Sequence, residues 1–140
     1  MNITELLTDL ASNTNAIIRA AASMFNLTAS QAFHLLSIPF DGIPMSGLAA
    51  WLGLDNSTLT RNIQKLEDLG LVRRGVDNHD KRIQRVILTK DGASLVGSLE
   101  AHIEERCHYI LEQIDLDTQE HLLTDLEKLS WAMEYSRGNL

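Results

Sequence analysis

DNSTLTRNIQKLEDLGLVRRGVDNHDKRIQRVILT, residues 55–89, changes its apolar period half-way along, and that change decides the fold. In its first half Leu59, Ile63, Leu66 and Leu69 recur at spacings of four, three and three, which puts them on one face of a helix. Asp55 is a good N-cap, because its carboxylate accepts from N–H groups that a first helical turn leaves unbonded. Gly70 suits the position just past the end, since glycine takes the left-handed backbone that closes a helix. The other faces carry Ser57, Thr58, Thr60, Arg61, Gln64 and Lys65. Then LVRRGV (71–76) and RIQRVILT (82–89), rich in β-branched residues, predict two strands. DNHD (77–80) between them is rich in turn formers. The expected product is a hairpin with Lys81 and Arg82 at or near its tip.

Charge follows the same boundaries. The 140-residue chain has formal net charge −7, yet residues 57–90 hold eight Lys/Arg against four Asp/Glu. That window is +4 and the remainder −11. An acidic body argues against a general polyanion binder, while a local basic patch marks one face as a candidate nucleic-acid contact.

Working outward, residues 4–25 predict a helix from Leu7, Leu10, Ile17, Ala21 and Phe25, with Asn26 closing it. Thr28 and Gln31 have capping-box spacing and open the next helix, which carries Phe33, Leu35, Leu36 and Ile38 and ends before Pro39. FDGIP (40–44) is read as a turn. Leu48, Ala49, Trp51 and Leu52 give a short helix stopped near Gly53. On the C-terminal side Thr89 caps a long helix with the stripe Val96, Leu99, Ile103, Cys107, Ile110 and Ile114. Asp117 with Glu120 is expected to open a last helix carrying Leu122, Leu126, Leu129 and Met133.

The fold class that results is mainly α with a small β-hairpin wing. It is a winged helix-turn-helix over 27–92, flanked by dimerisation helices at 1–26 and 93–140, in a single domain spanning 1–140. The terminal helices carry more apolar surface than one small winged-helix module can cover. A two-fold partner would bury it and set two recognition helices roughly 34–36 Å apart, about one turn of DNA.

Physics assigns the parts. A helix with a polar face fits the major groove, its N-terminal side chains towards base edges. Arg61 can hold guanine through two parallel hydrogen bonds, and Ser57, Thr58 and Thr60 can bond phosphates or bases. Gln64 and Lys65 continue that face, and Lys81 adds charge at the wing. Arg82 is the candidate for a narrow minor groove, whose concentrated negative potential attracts arginine. Asp80 is close enough in sequence to orient Arg82. Arg73, Arg74 and Arg85 are strand arginines, which either touch phosphates or serve the fold.

From LTASQ to ILTKDG, about residues 27–92, the chain resembles the MarR family of winged-helix transcription regulators. The features that match are LTASQ, then STLTRNIQKLEDLGLV, then DKR followed by VILTKDG. The flanking helices also match in order and length. The resemblance implies a homodimer formed by the first and last helices and a palindromic operator on double-stranded DNA. It implies that Arg82 enters the minor groove, and that a ligand pocket lies between the dimerisation and DNA-binding regions. One departure is Pro44-Met45-Ser46-Gly47, where the family usually starts its helix with polar residues and a Glu. Met24, His34, Phe40, Met45 and Trp51 are candidates for contacting a small-molecule effector; core packing is their competing role.

Other chemistries find little support. No GxSxG, P-loop, HExxH or paired-cysteine motif occurs, so neither catalytic residues nor cofactors are expected. Cys107 lies in an apolar stripe, where cysteine acts as a small hydrophobe and not as a sensor. Glu104, His108 and Glu112 share one helix face, but nothing in the spacing demands a metal, and the histidines are read as ordinary surface residues. With no signal peptide and no apolar run of membrane length, a cytoplasmic location is expected. The function expected is a sequence-specific DNA-binding regulator, a repressor that answers to a ligand. The alternative is a winged-helix interaction module that does not read DNA, which would lack the steep salt dependence of phosphate contacts.

Overall fold

The structure, a computed structural model, describes residues 1–138 of the 140. In chain order its elements are α1 (Ile3–Ser23), α2 (Ala29–Leu36), β1 (Ile43–Pro44), α3 (Met45–Leu52), α4 (Asn56–Asp68), β2 (Val72–Val76), β3 (Gln84–Leu88), α5 (Lys90–Glu112) and α6 (Leu116–Arg137). They divide into two compact units, residues 1–103 and 104–140, with α5 contributing to both.

In the first unit, side chains close the helix starts. Thr28 and Gln31 form the capping box expected of them, and Asn2 with Glu5 forms another at the start of α1. Pro44 precedes α3 with no side-chain cap, in keeping with the departure noted there. Thr89 accepts from the N–H of Gly92 (3.0 Å) and donates to the carbonyl of Gly70 (2.6 Å). That bond ties the start of α5 to the end of α4. A Cβ on Gly92 would overlap the carbonyl of Leu71, so only glycine permits this approach.

The sheet has three antiparallel strands in the order β1-β3-β2. Val72 pairs with Leu88, Arg74 with Val86 and Val76 with Gln84, which is the hairpin expected. The stretch 40–44 is not all turn, however. Ile43 and Pro44 pair with Val86 and Arg85 at the edge of the sheet, where a proline without an N–H is tolerated.

The core of this unit gathers Ala21, Ala22, Ala32, Leu35, Leu48, Leu59, Ile63, Leu66, Val72, Val86, Val96 and Leu99. The stripe of α4 is buried except for its last member. Leu69 is the C-cap and lies exposed, because the helix ends one residue before it. Ile3, Leu6 and Leu10 of α1 are exposed as well.

In the second unit, α6 starts earlier than the sequence suggests. Asp115, not Asp117, is the N-cap, accepting from the N–H and hydroxyl of Thr118 at 3.3 and 2.8 Å. Both acids have a partner three residues on. Gln119 favours the earlier start by donating back to the carbonyls of Leu111 (2.7 Å) and Ile114 (2.6 Å). Exposed apolar residues are frequent in α6, among them Leu123, Leu126, Leu129, Trp131, Met133 and Tyr135. The rings of Trp131 and Tyr135 stack with centroids 5.5 Å apart. Cys107 is a free, half-buried thiol. Among the described residues no helix is long and apolar enough to cross a membrane.

Candidate nucleic-acid interface

The first turn of α4 is organised by one carboxylate. Asp55 accepts from the N–H of Thr58 (2.7 Å), the hydroxyl of Ser57 (2.8 Å) and the hydroxyl of Thr58 (3.0 Å). These bonds, the backbone one first, with a smaller contribution from the charge of Arg61, hold its pKa down to about 2. Arg61 in turn donates to the Thr58 hydroxyl at 3.3 Å. The Thr60 hydroxyl donates to the carbonyl of Asn56 at 2.7 Å. All three hydroxyl hydrogens are therefore committed inward. The Thr58 oxygen also accepts from Arg61, which leaves the hydroxyl oxygens of Ser57 and Thr60 as acceptors, suited to an amino group better than to a phosphate oxygen.

The cap has a pH signature. Its folded pKa lies below the ordinary 3.8, so its stabilisation is complete above that value and is lost as pH falls towards about 2. Asp55→Asn keeps an acceptor for Thr58 but does not titrate. It should flatten the loss of helical circular dichroism between about pH 4 and pH 2 relative to wild type. Identical acid profiles would mean that Asp55 is not linked to folding.

Further along α4 the basic and amide side chains divide. Arg74 of β2 donates through Nε to Glu67 and through Nη2 to Gln64 (2.8 Å), while Gln64 donates to Asp68 (3.0 Å). Arg74 and Gln64 thus fasten α4 to β2. Lys65, Arg73 and Lys81 are exposed and join no ion pair among the described residues.

The wing loop is built on two aspartates. Asp77 accepts from the N–H groups of His79 (2.9 Å) and Asp80 (3.0 Å) and from Arg85 Nη1 (3.2 Å), which lowers its pKa. Arg85 also donates to the carbonyl of Asp41 at 3.2 Å, so it ties the wing to the turn before β1. Asp80 accepts from the backbone N–H, Nε and Nη2 of Arg82 at 3.0, 3.1 and 3.0 Å. The bonds from Arg82 lower the pKa of Asp80 and raise that of Arg82. The side chain of Arg82 is nevertheless 91% exposed. A carboxylate thus aims a guanidinium that remains available to a partner.

Comparison with known proteins shows what this fold is similar to. Residues 25–83 match the model of the MarR family. Within those residues the chain is similar to the MarR family. Over the whole chain, a MarR crystal structure superposes with a TM-score of 0.82 at 23% identity, covering 100% of this chain and 96% of the other. The transcriptional regulator SlyA gives 0.78 at 19%, covering 99% and 98%. An S. aureus MepR–DNA complex gives 0.71 at 21%, covering 94% and 98%. The chain therefore has the fold of the MarR-type transcription regulators.

Within this winged helix a cleft of about 330 Å³ opens between α3, α4 and the wing, lined among others by Met45, Thr60, Arg82 and Gln84. Of the five pocket candidates only Met45 borders it. Met24, Phe40 and Trp51 are exposed elsewhere. His34 is not a surface histidine: it is 4% exposed. Its Nδ1 lies 2.6 Å from the carbonyl of Ser30 and its Nε2 lies 3.1 Å from Asn62 Nδ2. Sequence reasoning misses Asn62, although it sits three residues after Leu59 and four before Leu66, on the buried side of α4.

Proposed function

We propose that this protein is a sequence-specific DNA-binding transcription regulator. Residues 27–92 read DNA, and the helices of 1–26 and 93–140 form a homodimer. It binds a palindromic operator as a repressor, and a small ligand lowers its affinity. The observation that carries the reading is the exposed, carboxylate-aimed Arg82 on the wing of a chain whose α4 presents Ser57, Thr58, Thr60, Arg61 and Lys65. One structural neighbour, the MepR–DNA complex, supports DNA as the partner. The exposed apolar residues of α1 and α6 support a second copy as the other partner. Ligand control would be a population shift: the ligand binds best to a dimer whose recognition helices are wrongly spaced for the operator. The reading needs no catalytic centre, metal or cofactor.

The test is binding to labelled DNA across salt concentrations, with mass measured by sedimentation. The expected particle has twice the 15.6 kDa mass of the chain. Its affinity should fall on the order of a thousandfold from about 50 to about 200 mM salt, as phosphate contacts require. A monomer, or a dimer with a flat salt profile, would overturn the reading and favour an interaction module.

A further inference from the structure

We propose that His34 and Asn62 are a positioning pair: they fix the rotation of α4 about its own axis and so aim its reading face, without touching a base themselves. The proposal rests on the DNA-binding reading above.

Among the described residues His34 is the polar side chain that the core buries. The carbonyl of Ser30 can only accept, so Nδ1 carries the proton, and in the neutral ring Nε2 accepts from the Asn62 amide. The bond runs from α2 to α4, across 28 positions of the chain.

The rest of α4's inner face is aliphatic: Leu59, Ile63 and Leu66. Such packing is strong but non-directional, and a small turn of the helix changes it little. A hydrogen bond is sensitive to that turn. On another side of α4, Gln64 and Glu67 are gripped by Arg74. At 3.6 residues per turn, Asn62 points roughly 200° from Gln64 and roughly 140° from Glu67. The two polar tethers therefore hold the helix from nearly opposite sides, which is what resisting rotation requires. Arg61 is the immediate neighbour of Asn62. A turn of about 10° moves a side-chain tip about 5–6 Å from the axis by about 1 Å. That is the difference between a hydrogen bond to a base edge and none.

The experiment compares affinity for an operator with affinity for random DNA at one salt concentration. It is run on wild type, His34→Leu, Asn62→Ala and the double variant, with thermal melting of each sample. The specific-to-random ratio should fall about tenfold in each single variant, the effect of about one lost hydrogen bond. The double variant should fall no further, and random-DNA affinity should not change. His34→Gln, which keeps an acceptor for Asn62, should recover most of the ratio. If the melting temperature falls but the ratio holds, the bond serves stability alone and the proposal is overturned. Asn62→Ala trims a half-buried side chain and decides the matter if His34→Leu does not fold. A wild type with no sequence preference overturns the regulator reading itself, a distinct outcome.

Discussion

Arg82→Ala is expected to reduce operator affinity roughly a hundredfold, because the proposed dimer would lose two minor-groove arginines. The side chain is 91% exposed, and its partner Asp80 lies on the same loop. Nothing in the core depends on it, so the fold and the proposed dimer should survive unchanged. The loop keeps its shape because Asp77 holds the N–H groups of His79 and Asp80. Fluorescence anisotropy on an operator, with sedimentation as the control for assembly, reads both quantities. Equal affinity for wild type and variant would take Arg82 off the DNA face.

Ile63→Ala should do the reverse. Ile63 is 0% exposed at the centre of α4's buried stripe. Removing its branched end leaves a cavity and costs about 2–5 kcal/mol, against a typical domain stability of about 5–15 kcal/mol. The outer face of α4 is untouched, so the protein that remains folded should still bind DNA. Denaturant melts at one fixed protein concentration measure the loss, since the proposed dimerisation would make stability depend on concentration. A loss below about 1 kcal/mol would mean that this stripe is not the core.

What could be read from the sequence was what local spacing decides. The change from helical to strand period around Gly70 gave α4 and the wing, the Thr28–Gln31 spacing gave a capping box, and residue type at a helix start gave the caps at Asp55 and Thr89. The misses depend on distant pairing. Ile43 and Pro44 become a strand only because β3 lies beside them, some forty residues on. Asp115 and Asp117 look equivalent until Gln119 reaches back to α5. The arginines look alike as well. Arg74 and Arg85 meet Glu67, and Asp77 with the Asp41 carbonyl, whereas Arg82 is bound to its own loop and stays exposed. No spacing rule separates a clamp from an exposed guanidinium. The burial of His34 was hidden for a related reason: its partner Asn62 belongs to another helix.

We infer that this winged helix reads a DNA sequence. This is tested most directly by incubating the purified protein with sheared genomic DNA and sequencing what it retains. Enrichment of an inverted repeat whose half-sites lie about one helical turn apart, centre to centre, is the expected result. Folded, dimeric protein that enriches no sequence would contradict it.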